Sequence, residues 1–229
     1  MIPLPVGRIL AAVVLSSGPA LASTANTFTE TFTGGSNVGG WLYGGPGETI
    51  EAAGGNPGAY YHSPTLDTFA PQPRTSGPDS VFTGNYRTRN ITAIGLDLIT
   101  ISVDFSAAGR PLTLMLVSDA GTPADPNDDW AAYFMGAVNV PVPGQGWASF
   151  SFAVPSQSTS LPAGWQTIAL GPNSPPPDWN DVITDVDQVR FFYGDPTGFF
   201  IFQMWNVGLD NVSIVGDVVP VGLAGFTVD

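Results

Sequence analysis

The feature that most constrains this chain is a repeated two-residue alternation of apolar and polar side chains. It is clearest over residues 99–105, where Ile, Val and Phe alternate with Thr, Ser and Asp. A period of two is typical of β-strands that bury one face. The same alternation recurs over residues 27–33, 112–116, 150–154, 186–193, 199–204 and 209–215. The pattern therefore predicts an all-β protein.

Clusters of glycine and proline separate these segments, and the chain has 28 Gly and 22 Pro. The clusters occupy residues 34–37, 54–58, 123–129, 141–146 and 172–177. Such punctuation between short apolar runs predicts about ten strands in one antiparallel β-sandwich domain. We place that domain at residues 23–215, with one short helical turn at 178–184 and a tail or linker at 216–229.

The N-terminus has the pattern of a signal peptide. Arg8 precedes an apolar run at residues 9–15, and Ala20 and Ala22 satisfy the small-residue rule for cleavage. The run is too short to span a bilayer, and no later segment is long and apolar enough to do so. We expect residues 1–22 to be removed and the protein to be secreted, either extracellular or periplasmic.

Charge and cysteine content exclude several classes of protein. Six Lys and Arg residues face 19 Asp and Glu, which gives a formal charge of −13. That charge repels phosphate and excludes a typical nucleic-acid binder. The absence of cysteine excludes a disulfide-stapled domain and a cysteine-ligated zinc site. Stability must therefore come from core packing, with or without a metal ion.

Several segments resemble known families in the order in which they occur. The opening Phe28-Thr-Glu-Thr-Phe32 and the following Trp41 resemble the first strand of jelly-roll carbohydrate-binding modules. Residues 54–61 and 82–87 resemble the laminin IV (laminin B) domain, and residues 209–214 resemble the last strand of both families. The resemblance spans residues 27–215. It implies a galactose-binding-like jelly-roll β-sandwich that contacts carbohydrate or protein.

Two carboxylates are candidate ligands for a metal ion. Glu30 shares a strand face with Phe28, and Asp210 is expected to share one with Val212. A buried carboxylate needs a partner, which could be an arginine or a hard cation such as Ca²⁺. The resemblance implies a structural calcium ion between the first and last strands, held by Glu30 and Asp210 with Asn56 as a further ligand. The alternative is that Glu30 faces solvent.

A second acidic cluster lies at residues 125–129. It lacks the glycine and the distal glutamate of an EF-hand loop. A solvated turn and a metal site both remain open there.

Aromatic residues beside acidic and amide groups suggest a carbohydrate surface. Trp130 and Tyr133 follow the acidic cluster, and Trp179 follows three prolines. Exposed rings stack on sugar faces while carboxylates and amides accept hydroxyl hydrogen bonds. The alternative is that these rings cover the ends of the sandwich. We expect Trp147 and Trp205 to lie in the core.

The sequence has few patterns that are typical of catalytic sites. His62 is the single histidine, no Gly-x-Ser-x-Gly elbow is present, and a catalytic zinc site would need more ligands. A two-carboxylate glycosidase remains open because the chain has 19 acids. We therefore interpret the protein as a secreted, non-catalytic module that binds extracellular polysaccharide. The alternatives are an adhesion domain that contacts protein and a jelly-roll hydrolase.

Overall fold

A computed structural model describes residues 25–75, 80–175 and 178–218. The leader at residues 1–22, and the tail from residue 219 on, lie outside these ranges. The described residues form twelve β-strands and one short α-helix, α1, at Trp179–Thr184. The strands are β1 (Asn26–Glu30), β2 (Trp41–Leu42), β3 (Thr49–Gly55), β4 (Gly58–Thr68), β5 (Arg74–Thr75), β6 (Ala93–Val103), β7 (Pro111–Ser118), β8 (Trp130–Asn139), β9 (Ala148–Ala153), β10 (Trp165–Ala169), β11 (Gln188–Tyr193) and β12 (Gln203–Gly216).

The strands form two antiparallel sheets. Sheet A has the order β3-β4-β12-β6-β9, and β1 also pairs with β12. Sheet B has the order β10-β8-β7-β11-β5-β2. The predicted all-β jelly-roll sandwich is confirmed. The strands outnumber the ten expected partly because β2 and β5 have two residues each, too few to show an alternation.

The core lies between the two sheets and is rich in aromatic rings. The predicted row Leu112, Leu114 and Leu116 on β7 is fully buried. Trp205 on β12 is also fully buried, as predicted, and its ring lies edge-on to Tyr193 of β11. Alternate residues of each strand therefore supply the core, and the residues between them form the two outer faces.

The short helix α1 covers one end of the core. The Asp178 side chain accepts a hydrogen bond from the Asn180 backbone N–H at 2.7 Å and caps the helix N-terminus. Trp179, Val182 and Ile183 are its buried residues. The predicted helical turn at 178–184 is confirmed. No helix in the described part of the chain is long and apolar enough to cross a membrane.

A β-bulge on β12 corrects the expected orientation of Asp210. Asn211 has φ +48°, and the register against β6 shifts between Asp210 and Ser213. The extra residue reverses the alternation, so Leu209 and Val212 both face the core and Asp210 faces outward beside Asp97. The expectation that Asp210 shares a face with Val212 was wrong.

The predicted strand at 199–204 was also wrong. The strand β12 begins at Gln203, and residues 199–202 form a loop in which the Phe199 side chain is 91% exposed. The apolar run that suggested a strand is instead presented to solvent.

Candidate functional site

The three rings predicted to bind sugar are buried. Trp130, Tyr133 and Trp179 are 4%, 3% and 2% exposed. Trp130 and Trp179 belong to the main core, and the Trp179 indole N–H donates to the Ser158 carbonyl oxygen at 3.0 Å. The expectation that these rings form an exposed surface was wrong, and the alternative that they cover the sandwich is correct for Trp179.

Tyr133 is buried for a different reason. It lies on the outer face of sheet B, in a small apolar cluster with Met115, Val117 and Ala131. Ile168, Leu170 and Phe192 pack around this cluster. Its hydroxyl lies 3.0 Å from Gln166 Oε1 and donates a hydrogen bond to it. Neighbouring side chains, rather than the second sheet, therefore exclude solvent from this ring.

The outer face of sheet A carries a different set of aromatic residues. We call Glu51, Tyr60, His62, Trp147 and Asn206 the aromatic face. The Tyr60 ring lies 5.4 Å from the Trp147 ring, edge-on, and 5.5 Å from the His62 ring. Trp147 is only partly buried, so the expectation that it lies in the core was wrong. Tyr60 and His62 lie on β4, and Trp147 lies directly before β9, which β12 and β6 separate from β4 in sheet A.

A glycine lets Tyr60 lie against the sheet. Gly208 of β12 has no side chain beneath the ring, and a Cβ there would lie 2.8 Å from Tyr60 Cδ2. Tyr60 is 9% exposed because Trp147 packs on its other side. Burial, followed by the charge on Glu51, raises the pKa of the Tyr60 hydroxyl. The hydroxyl therefore stays protonated at neutral pH and can donate a hydrogen bond.

Hydrogen bonds fix His62 from both sides. Its Nε2 lies 2.8 Å from Asn206 Oδ1, and its Nδ1 lies 3.3 Å from Glu51 Oε1. A hydrogen bond from Thr49, and then one from His62, lower the pKa of the Glu51 carboxyl. The His62 side chain is 15% exposed and that of Glu51 is 46% exposed. The face thus presents an imidazole edge and a carboxylate beside its rings.

A polar network holds the β3–β4 hairpin against sheet A next to this face. The Asn56 backbone N–H donates to Asp210 Oδ2 at 2.6 Å, and the Asn56 amide donates to Asp97 Oδ2 at 3.0 Å. The Trp147 indole N–H donates to the Gly54 carbonyl oxygen at 3.0 Å. Burial, and then the charge on Asp97, raise the pKa of Asp210, while backbone N–H groups oppose that shift. The network positions Trp147.

The three predicted calcium ligands do not fit a single ion in this arrangement. Glu30 is 4% exposed and lies opposite Val212 on the core side of sheet A, whereas Asp210 faces outward. The Glu30 carboxylate accepts the Gly39 backbone N–H at 2.9 Å, and Asp210 accepts that of Asn56. No group of three or more acidic or histidine side chains in the described ranges could hold a metal ion. One calcium ion shared by all three residues is therefore not expected, and binding of calcium to the protein stays untested.

The acidic loop at 125–129 uses carboxylates for its own turns. Asp125 Oδ1 accepts from the Asn127 backbone N–H at 3.0 Å, and Asp128 accepts from the Thr122 hydroxyl at 2.8 Å. Asp129 instead lines a cleft of about 490 Å³, together with Asp119, Asp185, Asp187 and Arg190. Burial, followed by the charge on Asp119, raises the pKa of Asp129.

The most perturbed carboxyl of this acidic cleft is Asp187. Burial is the main cause that raises its pKa to about 6, and the charges of Asp185 and Asp119 add to it. The Asp187 carboxylate accepts the Asp119 backbone N–H at 2.9 Å.

The aromatic face could have been found from the sequence. Tyr60 and His62 alternate within a segment that ends in a Gly-rich turn on one side, and β4 follows that turn directly. The proximity of Trp147 has no local signal, because it depends on pairing of β6 with β9 and of β4 with β12.

No protein-family model and no curated protein matches the chain. Among solved structures, the chain is similar to one titled "Solution structure, dynamics and binding studies of CtCBM11". The two are 15% identical, with 87% of this chain and 99% of the other covered and a TM-score of 0.41. A similarity at this level supports no argument about the ligand of this protein. The resemblance to laminin IV stays a prediction.

Proposed function

We propose that this protein is a secreted, non-catalytic module that binds extracellular polysaccharide on the aromatic face of sheet A. The observation that carries the proposal is the row of Trp147, Tyr60 and His62 on an outer sheet face, with ring centroids 5.4 and 5.5 Å apart. Export is proposed from the pattern of residues 1–22 alone.

The chemistry of the face suits sugar rings. Aromatic rings stack on the C–H faces of sugars, and the groups around them can hydrogen-bond to hydroxyls. Tyr60 offers a donor, Glu51 an acceptor and Asn206 an amide. The formal charge of −13 disfavours acidic glycans, so the ligand is a neutral or cationic polysaccharide.

The affinity should be modest. The face is shallow, and few rings contact the ligand, so a single site should bind with a dissociation constant on the order of 10–1000 μM. No catalytic step is proposed.

Affinity electrophoresis in gels that contain neutral, cationic or acidic polysaccharides tests the proposal. The wild type should be retarded by at least one neutral or cationic polymer, and Trp147→Ala should lose most of that retardation. Phe199→Ala is the matched control, because it removes an aromatic ring that is 91% exposed and lies off this face. Retardation that Trp147→Ala leaves intact would exclude the aromatic face. Capture of a protein partner with no glycan retained would favour the adhesion alternative.

A further inference from the structure

A second cleft lies at the end of the sandwich where β12 begins. It is formed by residues 105–110, which follow β6, and by residues 199–203, which enter β12, and its volume is about 400 Å³. We call it the phenylalanine cleft. Phe105 is 75% exposed and Phe199 is 91% exposed at its rim. Exposed rings of this size at a concave surface indicate a binding site for an apolar group.

The floor of this cleft holds an amide group that lacks a partner. Gln203 is 2% exposed, and its Oε1 accepts the Ser106 backbone N–H at 2.8 Å. That bond fixes the orientation of the amide, because a flipped amide would set two donors against each other. Gln203 Nε2 is buried and has no hydrogen-bond partner within the described residues. Leaving such a donor unpaired is costly, so we expect a water molecule or a ligand acceptor to pair with it.

An arginine without a counter-ion lines the same cleft. Arg110 is 7% exposed, and its Nη1 donates to the Phe69 carbonyl oxygen at 2.7 Å. Its guanidinium carbon lies 4.4 Å from the Phe200 ring centroid and 5.0 Å from that of Trp205. The only salt bridge among the described residues joins His62 and Glu51, so no carboxylate there pairs with Arg110.

The carboxylates nearest in sequence to the cleft are engaged elsewhere. Asp104 Oδ1 accepts the Met204 backbone N–H at 3.0 Å, and Asp195 Oδ1 accepts that of Thr197 at 2.9 Å. None of the five arginines in the described ranges pairs with a carboxylate, and Arg110 is the one that lines the phenylalanine cleft. A buried cation of this kind is stabilised when an anion enters.

We propose that the phenylalanine cleft binds an apolar carboxylic acid. Its carboxylate would take hydrogen bonds from Gln203 Nε2 and Arg110, and its hydrocarbon part would pack on Phe105, Phe199 and Ile201. This ligand satisfies the amide, the guanidinium and the apolar rim together, which a neutral hydrocarbon or a small anion does not. The site is separate from the aromatic face of sheet A and does not depend on the polysaccharide proposal.

Titration calorimetry of the whole chain with decanoate tests the site. Acetate serves as the probe that lacks the tail, and decanol as the probe that lacks the carboxylate. Decanoate should bind at least about tenfold more tightly than either, since both halves of the ligand contribute. In ¹⁵N spectra the Gln203 side-chain amide should shift on addition of decanoate.

Two variants separate the two halves of the site. Gln203→Glu keeps the acceptor for the Ser106 N–H but removes the free donor, so decanoate binding should fall at least about tenfold. Phe199→Ser should weaken decanoate severalfold, and it is safe for folding because the ring is exposed. Leu161→Ser is the control, an exposed apolar residue outside the cleft lining that should change nothing.

Three results would overturn the proposal. The first is the absence of decanoate binding to the wild type. The second is decanol binding as tightly as decanoate, with Gln203→Glu neutral, which would reduce the cleft to an unspecific apolar surface. The third is a concentration-dependent dimer that Phe199→Ser dissociates and decanoate does not affect, which would make a second copy the occupant. Should Gln203→Glu fail to fold, the comparison of probes and Phe199→Ser still decide the question.

Discussion

The outer faces of the two sheets both carry aromatic residues, and they differ in one ring: Trp147 on sheet A is only partly buried, whereas Tyr60 beside it and Tyr133 on sheet B are buried. On sheet B, Tyr133 is 3% exposed because Ile168, Leu170 and Phe192 pack around its cluster. On sheet A, Trp147 is only partly buried, and His62 beside it keeps a 15% exposed side chain. Alternation along a strand selects the face, but the neighbours on that face decide whether a ring is a structural element or a binding element.

The largest expected effect comes from a substitution on the outer face of sheet B, where neighbouring side chains cover Tyr133. Tyr133→Ala removes a buried ring and should lower the free energy of unfolding by about 3 kcal/mol, as large-to-small substitutions of aromatic residues do. Urea denaturation measures this loss. Polysaccharide binding of the folded variant should equal that of the wild type. Tyr133→Phe is the milder control, which loses only the hydrogen bond to Gln166, worth about 1 kcal/mol.

The corresponding substitution on sheet A is Trp147→Ala, which should affect binding more than stability. Trp147→Ala should weaken binding to a neutral polysaccharide about tenfold or more, equivalent to at least about 1.4 kcal/mol. Its free energy of unfolding should fall less than that of Tyr133→Ala, since the indole is partly exposed. Affinity electrophoresis and urea denaturation of both variants provide the test. Equal loss of stability in the two variants, with binding retained in Trp147→Ala, would contradict the assignment of the two faces.

A smaller effect concerns protonation at the acidic cleft of sheet B. The pKa of Asp187 is about 6 in the folded protein, against about 3.9 in an unfolded chain. The folded state therefore holds this proton more tightly, so the carboxyl favours folding below about pH 4 and loses that contribution as the pH rises through about 6.

Asp187→Asn should remove this dependence. The amide oxygen can still accept the Asp119 backbone N–H. At neutral pH the free energy of unfolding of the variant should exceed that of the wild type by about 1 kcal/mol. This value is reduced for solvent screening because the group is partly exposed. Urea denaturation between about pH 4 and 6 measures how the free energy of unfolding changes with pH. If the free energy of unfolding has the same pH dependence in Asp187→Asn and in the wild type, the raised pKa of Asp187 would be contradicted.

The smallest expected effect concerns calcium. Because Glu30 and Asp210 lie on opposite faces of sheet A and each accepts backbone N–H groups, chelation should leave the melting temperature unchanged. Thermal unfolding in a chelator, with calcium then added back, measures this. A fall in melting temperature that calcium reverses, and that is absent in Glu30→Gln, would establish an ion at Glu30 in spite of its hydrogen bonds.

Much of the architecture was predictable because it is local. The alternation at β7 and the short helix α1 follow from residues within one segment, whereas the sequence left open whether Glu30 is buried. The orientation of Asp210 was not predictable, because one residue in a left-handed conformation at Asn211 reverses the alternation. A two-residue period in the sequence gives no indication of such a bulge.

The site was harder to predict than the fold. Trp130 and Tyr133 lie in a segment with the composition expected of a sugar-binding surface. However, Trp130 is buried in the main core, and Tyr133 is covered by residues distant in sequence, including Ile168 and Leu170. The exposed residues 199–202 have the composition of a strand. Exposure depends on which segments meet in space, and one sequence does not contain that information in its local pattern.

The position of β12 in sheet A has a consequence for how the chain is made. This last strand lies between β4 and β6 and also pairs with β1, so that residue 26 contacts residue 216. During synthesis, β4 and β6 therefore emerge long before the strand that joins them. Their edges stay unpaired until residues 203–216 have been made, a condition that favours slow folding and exposes the growing chain to aggregation.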